Sequence, residues 1–129
     1  MAKFKIAQNP TFMADVEILR IGGTPDKVPF EFHYRDRKAL AALFLSWQEA
    51  FKVDEARFKE MGADLTIVVI TAASIDREVD QVEALVAGWG FDAKLSKESI
   101  RALVESTSGV GDAIIKAYQK AFEPARLGN

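Results

Sequence analysis

Residues 74–96 have the sequence SIDREVDQVEALVAGWGFDAKLS, and the rest of the chain is organised around this stretch. Its apolar residues recur at spacings of three and four, the pattern of one helix face, and they are Ile75, Val79, Val82, Val86 and Trp89. Ser74 is the predicted N-cap, followed by acidic residues that complement the helix dipole. Gly88 and Gly90 offer the backbone geometry that ends a helix. We therefore expect a helix that ends in a tight aromatic corner.

Two further helices are predicted after this corner. Ser96 is a predicted N-cap, and Leu95 and Ile100 on either side of it match a hydrophobic staple. This helix is expected over Lys97–Glu105. The last helix, about Gly111–Phe122, has an apolar face wider than a single core contact requires.

The residues before position 36 predict a β-hairpin. A β-rich run, Val16–Ile21, and a strictly alternating aromatic run, Val28–Tyr34, flank the turn residues Gly22–Asp26. The aromatic face is expected to pack on the helices, and Pro29 suggests that the second strand has a free edge at that residue. Met1–Pro10 alternates weakly through its apolar residues and fits either a short strand or a loose arm.

A long helix is predicted to follow Asp36, its N-cap, and to end at Gly62. Its apolar stripe contains Leu40, Leu43, Phe44, Trp47 and Phe51. Because such a helix is long for a small domain, we expect a break near Val53. The next run, Leu65–Thr71, is β-branched and favours a strand by propensity. It lacks an evident partner strand, so we interpret it as irregular or helical.

Length and composition indicate a single domain over residues 1–129, with a hairpin region (1–35), a helical region (36–123) and a short polar tail (124–129). The predicted class is α+β, mainly α, with the hairpin packed on four to five helices. The net charge of −2 gives no reason to expect nucleic-acid or membrane binding. The absence of cysteine fits a reducing compartment, and the N-terminus lacks the apolar run of a signal peptide. We expect a cytosolic protein.

The sequence offers no catalytic, cofactor or metal site. His33 is the only histidine, and one histidine without cysteine cannot assemble a usual transition-metal site. The carboxylates Asp76, Glu78 and Asp80 lie on a polar helix face, where solvation is the simpler explanation. The basic residues near Arg35 are too few and too mixed with acids for a nucleic-acid interface. An enzyme built from scattered polar residues remains the least favoured class.

Several segments together resemble the tail assembly chaperones of long-tailed bacteriophages and prophages. The resemblance spans nearly the whole chain, and its strongest part is a helix ending in Gly88-Trp89 followed by Phe91-Asp92 and a capped helix. The other matching segments are RDRKALAALF (35–44) with Trp47, LSKESI (95–100) and IIKAYQKA (114–121). None of these segments is a catalytic signature.

The resemblance implies a non-enzymatic protein that acts in the host cytoplasm and is absent from the mature virion. Members of the family bind the tape measure protein, keep it soluble and help the tail tube protein polymerise around it. The alternative is a small cytosolic adaptor or regulatory module that binds one protein partner. Self-association into a homo-oligomer is left open by the sequence.

The predicted partner-binding residues are Phe91, Tyr118 and Phe122, which lie at the corner and on the closing helix. Aromatic residues beside turns and on an over-wide apolar face are typical of association surfaces. Trp47, Val82 and Trp89 are assigned instead to the core.

Overall fold

The computed structural model describes residues 3–123. Within that range the elements follow in the order β1 (Thr11–Ile18), β2 (Asp26–His33), α1 (Arg37–Met61), α2 (Ile67–Leu85), β3 (Val86–Trp89), α3 (Lys97–Ser106) and α4 (Val110–Lys120). The three strands form one antiparallel sheet in the order β1-β2-β3. The α+β class is confirmed, with one strand more than expected. The predicted tail, Pro124–Asn129, lies outside the described residues.

The predicted hairpin is present as β1 and β2. The two strands pair antiparallel with Val16 opposite Val28, and Gly22 in the connecting turn has a φ of 73°. Strand β1 begins at Thr11 and not at Val16, because residues 11–15 pair with the end of β2 although Ala14 and Asp15 have low strand propensity. It ends at Ile18, earlier than predicted.

The predicted aromatic corner contains a strand, which is a correction to the sequence interpretation. Strand β3 (Val86–Trp89) directly follows α2 and pairs with β2 from Phe30 onward, so β2 is the central strand of the sheet. Pro29 is tolerated there because β3 ends beside it. The Pro29 carbonyl accepts a hydrogen bond from the Gly90 amide at 2.8 Å. The position at which Pro29 lacks an N–H therefore lies just beyond Trp89, the last residue of β3 that pairs with β2.

The two long helices depart from prediction in their bounds. Helix α1 starts at the predicted cap, where the Asp36 carboxylate accepts from the Ala39 amide at 2.9 Å, but it continues unbroken past Val53. It ends at Gly62, as predicted. A 3-10 turn over Gly62–Asp64 leads into α2.

Helix α2 begins at Ile67, shortly after this 3-10 turn, and not at Ser74 as predicted. The Thr66 hydroxyl caps it by accepting from the Val69 amide at 3.3 Å. The β-branched run is therefore helical, because a cap and the packing of the later turns outweigh its strand propensity. Ser74 lies inside the helix.

The predicted cap of α3 is confirmed. Ser96 accepts from the Ser99 amide at 3.1 Å, while Ser99 Oγ accepts from the Ser96 amide at 2.9 Å, which completes a capping box. Helix α4 follows Gly109, whose φ of 78° allows the sharp turn between the two helices.

The core lies between one face of the sheet and helices α2, α3 and α4. Its fully buried side chains include Phe30, Phe32, Val79, Val82, Leu85, Ile100, Ile114 and Tyr118. Of the three residues assigned to the core, Val82 is fully buried, whereas Trp47 and Trp89 are half-buried against its margin. Helix α1 contributes no fully buried residue.

Candidate partner-binding surface

Helix α1 carries its predicted apolar stripe, but the core does not fully cover the stripe. The helix has 25 residues and is about 37 Å long, and none of its residues is buried. Only Leu40, Leu43 and Trp47 near its start pack against the core margin. The later stripe residue Phe51 is 49% exposed. The stripe is therefore half-covered at the start of the helix and exposed at Phe51.

A salt bridge aligns α1 with α2. Asp54 Oδ2 lies 2.7 Å from Arg77 Nη1, and Asp54 keeps only 19% of its side-chain exposure. The Arg77 guanidinium also lies over the Phe51 ring, 5.2 Å from its centroid. Since Asp54 and Arg77 are neighbours, α1 and the first half of α2 form an antiparallel helical hairpin that ends at Gly62.

Besides the single exposed residues Leu45 and Val53, the helical hairpin gathers exposed apolar residues in two places. The first, which we name the α1 groove, is a shallow depression lined by Phe44, Trp47, Gln48, Phe51, Lys52 and Glu55. The second, the tip patch, lies at the start of α2 and consists of Ile67, Val68 and Ile70, which are 74%, 73% and 39% exposed. Exposed apolar groups gathered on one element are typical of protein-binding surfaces.

The α1 groove has the character of a helix-binding surface. Phe44 and Trp47 stack obliquely with ring centroids 5.4 Å apart and, together with Phe51, supply an aromatic floor. Gln48, Lys52 and Glu55 supply a polar rim. An apolar floor with a polar rim suits the apolar face of an amphipathic helix.

The titratable groups with perturbed pKa values lie outside this groove. Burial raises the pKa of Glu78 above its ordinary value, and the Gly111 amide and Arg77 partly offset the effect. Glu78 sits where α2 meets the start of α4, so its surroundings are structural. A hydrogen bond to Asp112 raises the pKa of the exposed Lys116. Residues 3–123 contain no group of three or more His, Cys, Asp or Glu placed to hold a metal ion.

The three predicted contact residues lie along one row of aromatic rings. Tyr118 is fully buried and donates its hydroxyl hydrogen to the His33 carbonyl at 2.8 Å. Phe91 is half-buried at one end of the row, 5.0 Å from Trp89. Phe122 lies at the other end, 5.1 Å from Tyr118, and is 38% exposed.

The structure therefore brings Tyr118 and Phe122 together and separates both from Phe91. The intervening rings, Phe30 and Phe32, are buried in the core. Tyr118 makes internal contacts, whereas Phe122 faces a groove beside the edge of the sheet that also includes Phe12 and Met13. A partner contact by these residues stays a prediction.

The sequence interpretation missed the α1 groove and the tip patch. Two signals pointed to this region. Leu45 lies off the stripe of its own helix and is 54% exposed, and the β-branched residues that start α2 have no strand to pair with. Periodicity alone shows which face of a helix is apolar, but it does not show whether another element covers that face.

Comparison with known proteins gives a family for the chain. None of the helices in the described range 3–123 combines the length and the apolar character needed to cross a bilayer. No curated protein and no solved structure matches the chain. A family model described as phage tail assembly chaperone matches residues 1–129. The chain therefore belongs to the phage tail assembly chaperone family.

Proposed function

We propose that this protein is a non-enzymatic chaperone that binds and solubilises the tape measure protein and promotes assembly of the tail tube protein around it. It acts in the host cytoplasm and is absent from the mature virion. Family membership supports the assembly role. The observation that carries the mode of binding is the apolar stripe of α1, which packs against the core only near its start and has no fully buried residue along its whole length.

The client chemistry follows from that stripe. A long, largely helical client exposes apolar stripes before assembly, and each stripe needs temporary cover. The α1 groove offers Phe44, Trp47 and Phe51 as apolar contacts, while Lys52 and Glu55 on its rim can pair with client charges of either sign. Several copies on one client give strong net binding from weak individual sites.

Phe122 is the member of the predicted contact trio that offers an exposed ring to a partner. We propose it as a second contact for tail proteins, with Tyr118 holding it in place from the core side. Phe91 serves the same purpose at the opposite end of the aromatic row.

The proposal is tested by co-expression with the tape measure protein, followed by size-exclusion chromatography with light scattering. The wild-type protein should give a soluble complex with several copies per client. Phe51→Gln should lower the affinity for the client at least about tenfold, because aromatic residues in apolar grooves are typical binding hot spots. The matched control is Leu45→Gln, which removes an exposed apolar side chain of the same helix that does not line the α1 groove.

Each outcome has a distinct meaning. If Phe51→Gln binds as well as the control, the α1 groove is not the binding site, and Phe122→Gln in the same assay tests the second contact. If the folded wild-type protein leaves the client insoluble, the chaperone function is wrong. A complex with one copy of a single partner would favour the adaptor alternative.

A further inference from the structure

Residues 3–10, which we name the arm, precede β1 and are exposed along their whole length. Phe4 and Ile6 are 98% and 102% exposed, so their side chains contact nothing else in the described range. They alternate with Lys3 and Lys5 in the period of two that is typical of a strand with one apolar face. The arm therefore has the pattern of a strand without the partner that a strand needs.

Within residues 3–123, strand β1 lies at the edge of the sheet, with β2 on one side only. The Pro10 carbonyl accepts from the Tyr34 amide at 2.8 Å, which extends the β1–β2 register by one residue pair. Even-numbered residues of β1 therefore hydrogen-bond to β2. The odd-numbered residues direct their N–H and C=O groups to the free edge, and these are Thr11, Met13, Asp15 and Glu17. Such an edge is a template for another strand.

The free edge and the arm carry opposite charges at the same spacing. Asp15 and Glu17 are exposed, and neither forms a salt bridge within residues 3–123. Lys3 and Lys5 are separated by one residue in the same way. Opposite charges placed across neighbouring strands stabilise a specific register.

We propose that two copies of this chain exchange their arms, so that the arm of each copy adds an antiparallel strand to the free edge of β1 in the other copy. One register places Lys5 opposite Asp15. The same register places Lys3 opposite Glu17. Both pairs fall at positions whose backbone groups point to the free edge, so side-chain charge and backbone hydrogen bonds select the same alignment.

The apolar residues of the arm fit this register as well. Phe4 falls opposite Val16, and Ile6 falls opposite Ala14. Val16 is buried and Ala14 half-buried, and both lie on the core face of β1. Both exposed apolar side chains of the arm would therefore join the core side of the sheet. Their burial supplies the hydrophobic stabilisation that the isolated arm lacks.

The pairing is also self-complementary. Paired residue numbers sum to 20, so Pro10 of one copy lies opposite Pro10 of the other on a two-fold axis, and both arms dock by the same contacts. Proline is suitable at this position because Pro10, like the even residues of β1, directs its backbone toward β2. The missing N–H therefore removes no hydrogen bond from the new strand pair.

The arm cannot reach this register on its own chain. Only Gln8 and Asn9 separate Ala7 from Pro10, which is already fixed to β2. A hairpin with these two residues as its loop would place Lys5 opposite Phe12 and so turn the lysines toward the core face. A second copy avoids this reversal, because each arm then extends away from its own β1 once its bends at Ile6, Ala7 and Pro10 straighten.

The first test is the mass of the protein in solution, measured by light scattering across the accessible concentration range. We expect a species of twice the 14.3 kDa chain mass, in equilibrium with monomer. A monomer at every concentration would overturn the proposal.

A charge exchange then tests the register. One variant carries Lys3→Glu and Lys5→Glu, and the other carries Asp15→Lys and Glu17→Lys. Each variant alone should dimerise at least about tenfold more weakly than wild type, because like charges face each other across the strands. An equal mixture should restore dimers, since each arm then meets an edge of opposite charge. Two variants that dimerise like wild type, or a mixture that stays monomeric, would contradict the register; circular dichroism confirms that both are folded.

Engineered cysteines give an independent measurement, because the chain contains none. A chain carrying Lys5→Cys and Asp15→Cys should form a covalent dimer on oxidation, since these positions face each other within disulfide reach. The matched control, Phe4→Cys with Asp15→Cys, places the two thiols on opposite faces and should remain uncrosslinked. A disulfide formed within a single chain would contradict exchange between copies.

Discussion

We call the sheet, α3, α4 and the second half of α2 the body of the protein. The body and the helical hairpin use apolar residues in opposite ways. In the body, Phe30, Phe32 and Tyr118 retain no exposed surface. In the helical hairpin, α1 has no buried residue although it too carries a regular apolar stripe. Val53, Ile67 and Val68 are more than two-thirds exposed there. Apolar residues therefore stabilise the fold in one region and remain available to a partner in the other. Substitutions in the two regions should separate stability from binding.

The largest contrast is expected between two phenylalanines. Phe30→Ala should lower the free energy of unfolding by about 3–5 kcal/mol, because it removes a fully buried ring and leaves a cavity. Phe51→Ala on α1 should cost less than about 1 kcal/mol, because half of its ring is already in water. Urea unfolding of both variants measures the difference. Equal losses of unfolding free energy would mean that the helical hairpin contributes to the core as much as the sheet does.

A smaller effect is expected where α4 starts against α2. A Cβ on Gly111 would lie 2.6 Å from Glu78 Oε1 and 2.9 Å from its Cγ, so Gly111→Ala should cost about 1–3 kcal/mol through overpacking. Gly23→Ala is the matched control, because its Cβ would lie 3.6 Å from the nearest atom, at an ordinary contact distance. Thermal unfolding should show a lower midpoint for Gly111→Ala alone, and similar midpoints would show that the Glu78 side chain yields to the added methyl group.

The smallest effect concerns the pH dependence of stability in the body. Burial raises the pKa of Glu78 in the folded state above its ordinary value of 4.5. The folded protein therefore holds this proton more tightly than the unfolded chain, so the contribution of Glu78 to stability falls as pH rises from 4.5 through the raised pKa. Glu78→Gln removes this dependence.

The free energy of unfolding of Glu78→Gln, relative to that of wild type, should therefore increase as pH rises through that window. Urea titrations at a series of pH values measure it, and Glu83→Gln, at an exposed position of the same helix, is the control. A difference that stays constant with pH would show that Glu78 is not perturbed by its packing.

Local signals in the sequence predicted the parts of the fold that depend on neighbouring residues. The caps at Asp36 and Ser96 and the hairpin turn at Gly22 are short-range features, and all three are present. The strand Val86–Trp89 was missed because its residues continue the helical period of α2, and only pairing with β2 makes them a strand. The start of α2 was missed because strand propensity concealed the cap at Thr66.

The candidate site was harder to predict than the fold. Aromatic composition drew attention to Tyr118, yet the sequence contains no sign that its hydroxyl would bond the His33 carbonyl, 85 positions earlier. The stripe on α1 was found, but its exposure depends on where α2 leaves the body. Asp54 and Arg77 link the two helices at this point, and sequence periodicity does not reveal the pair.

The connection from β2 to β3 has a consequence for how this chain can change. Helix α1 follows β2, which ends at His33, and α2 leads directly into β3 at Val86. Strand β3 pairs with β2, so the two helices connect neighbouring strands. The outer turns of the helical hairpin are therefore an insertion into a simple antiparallel meander, anchored at its base where Arg35 donates to the Ala84 carbonyl at 2.6 Å. Matched turns can be added to or removed from both helices without altering the sheet. The length of the helical hairpin can thus be adjusted, by evolution or by design, while the strand order of the sheet stays the same.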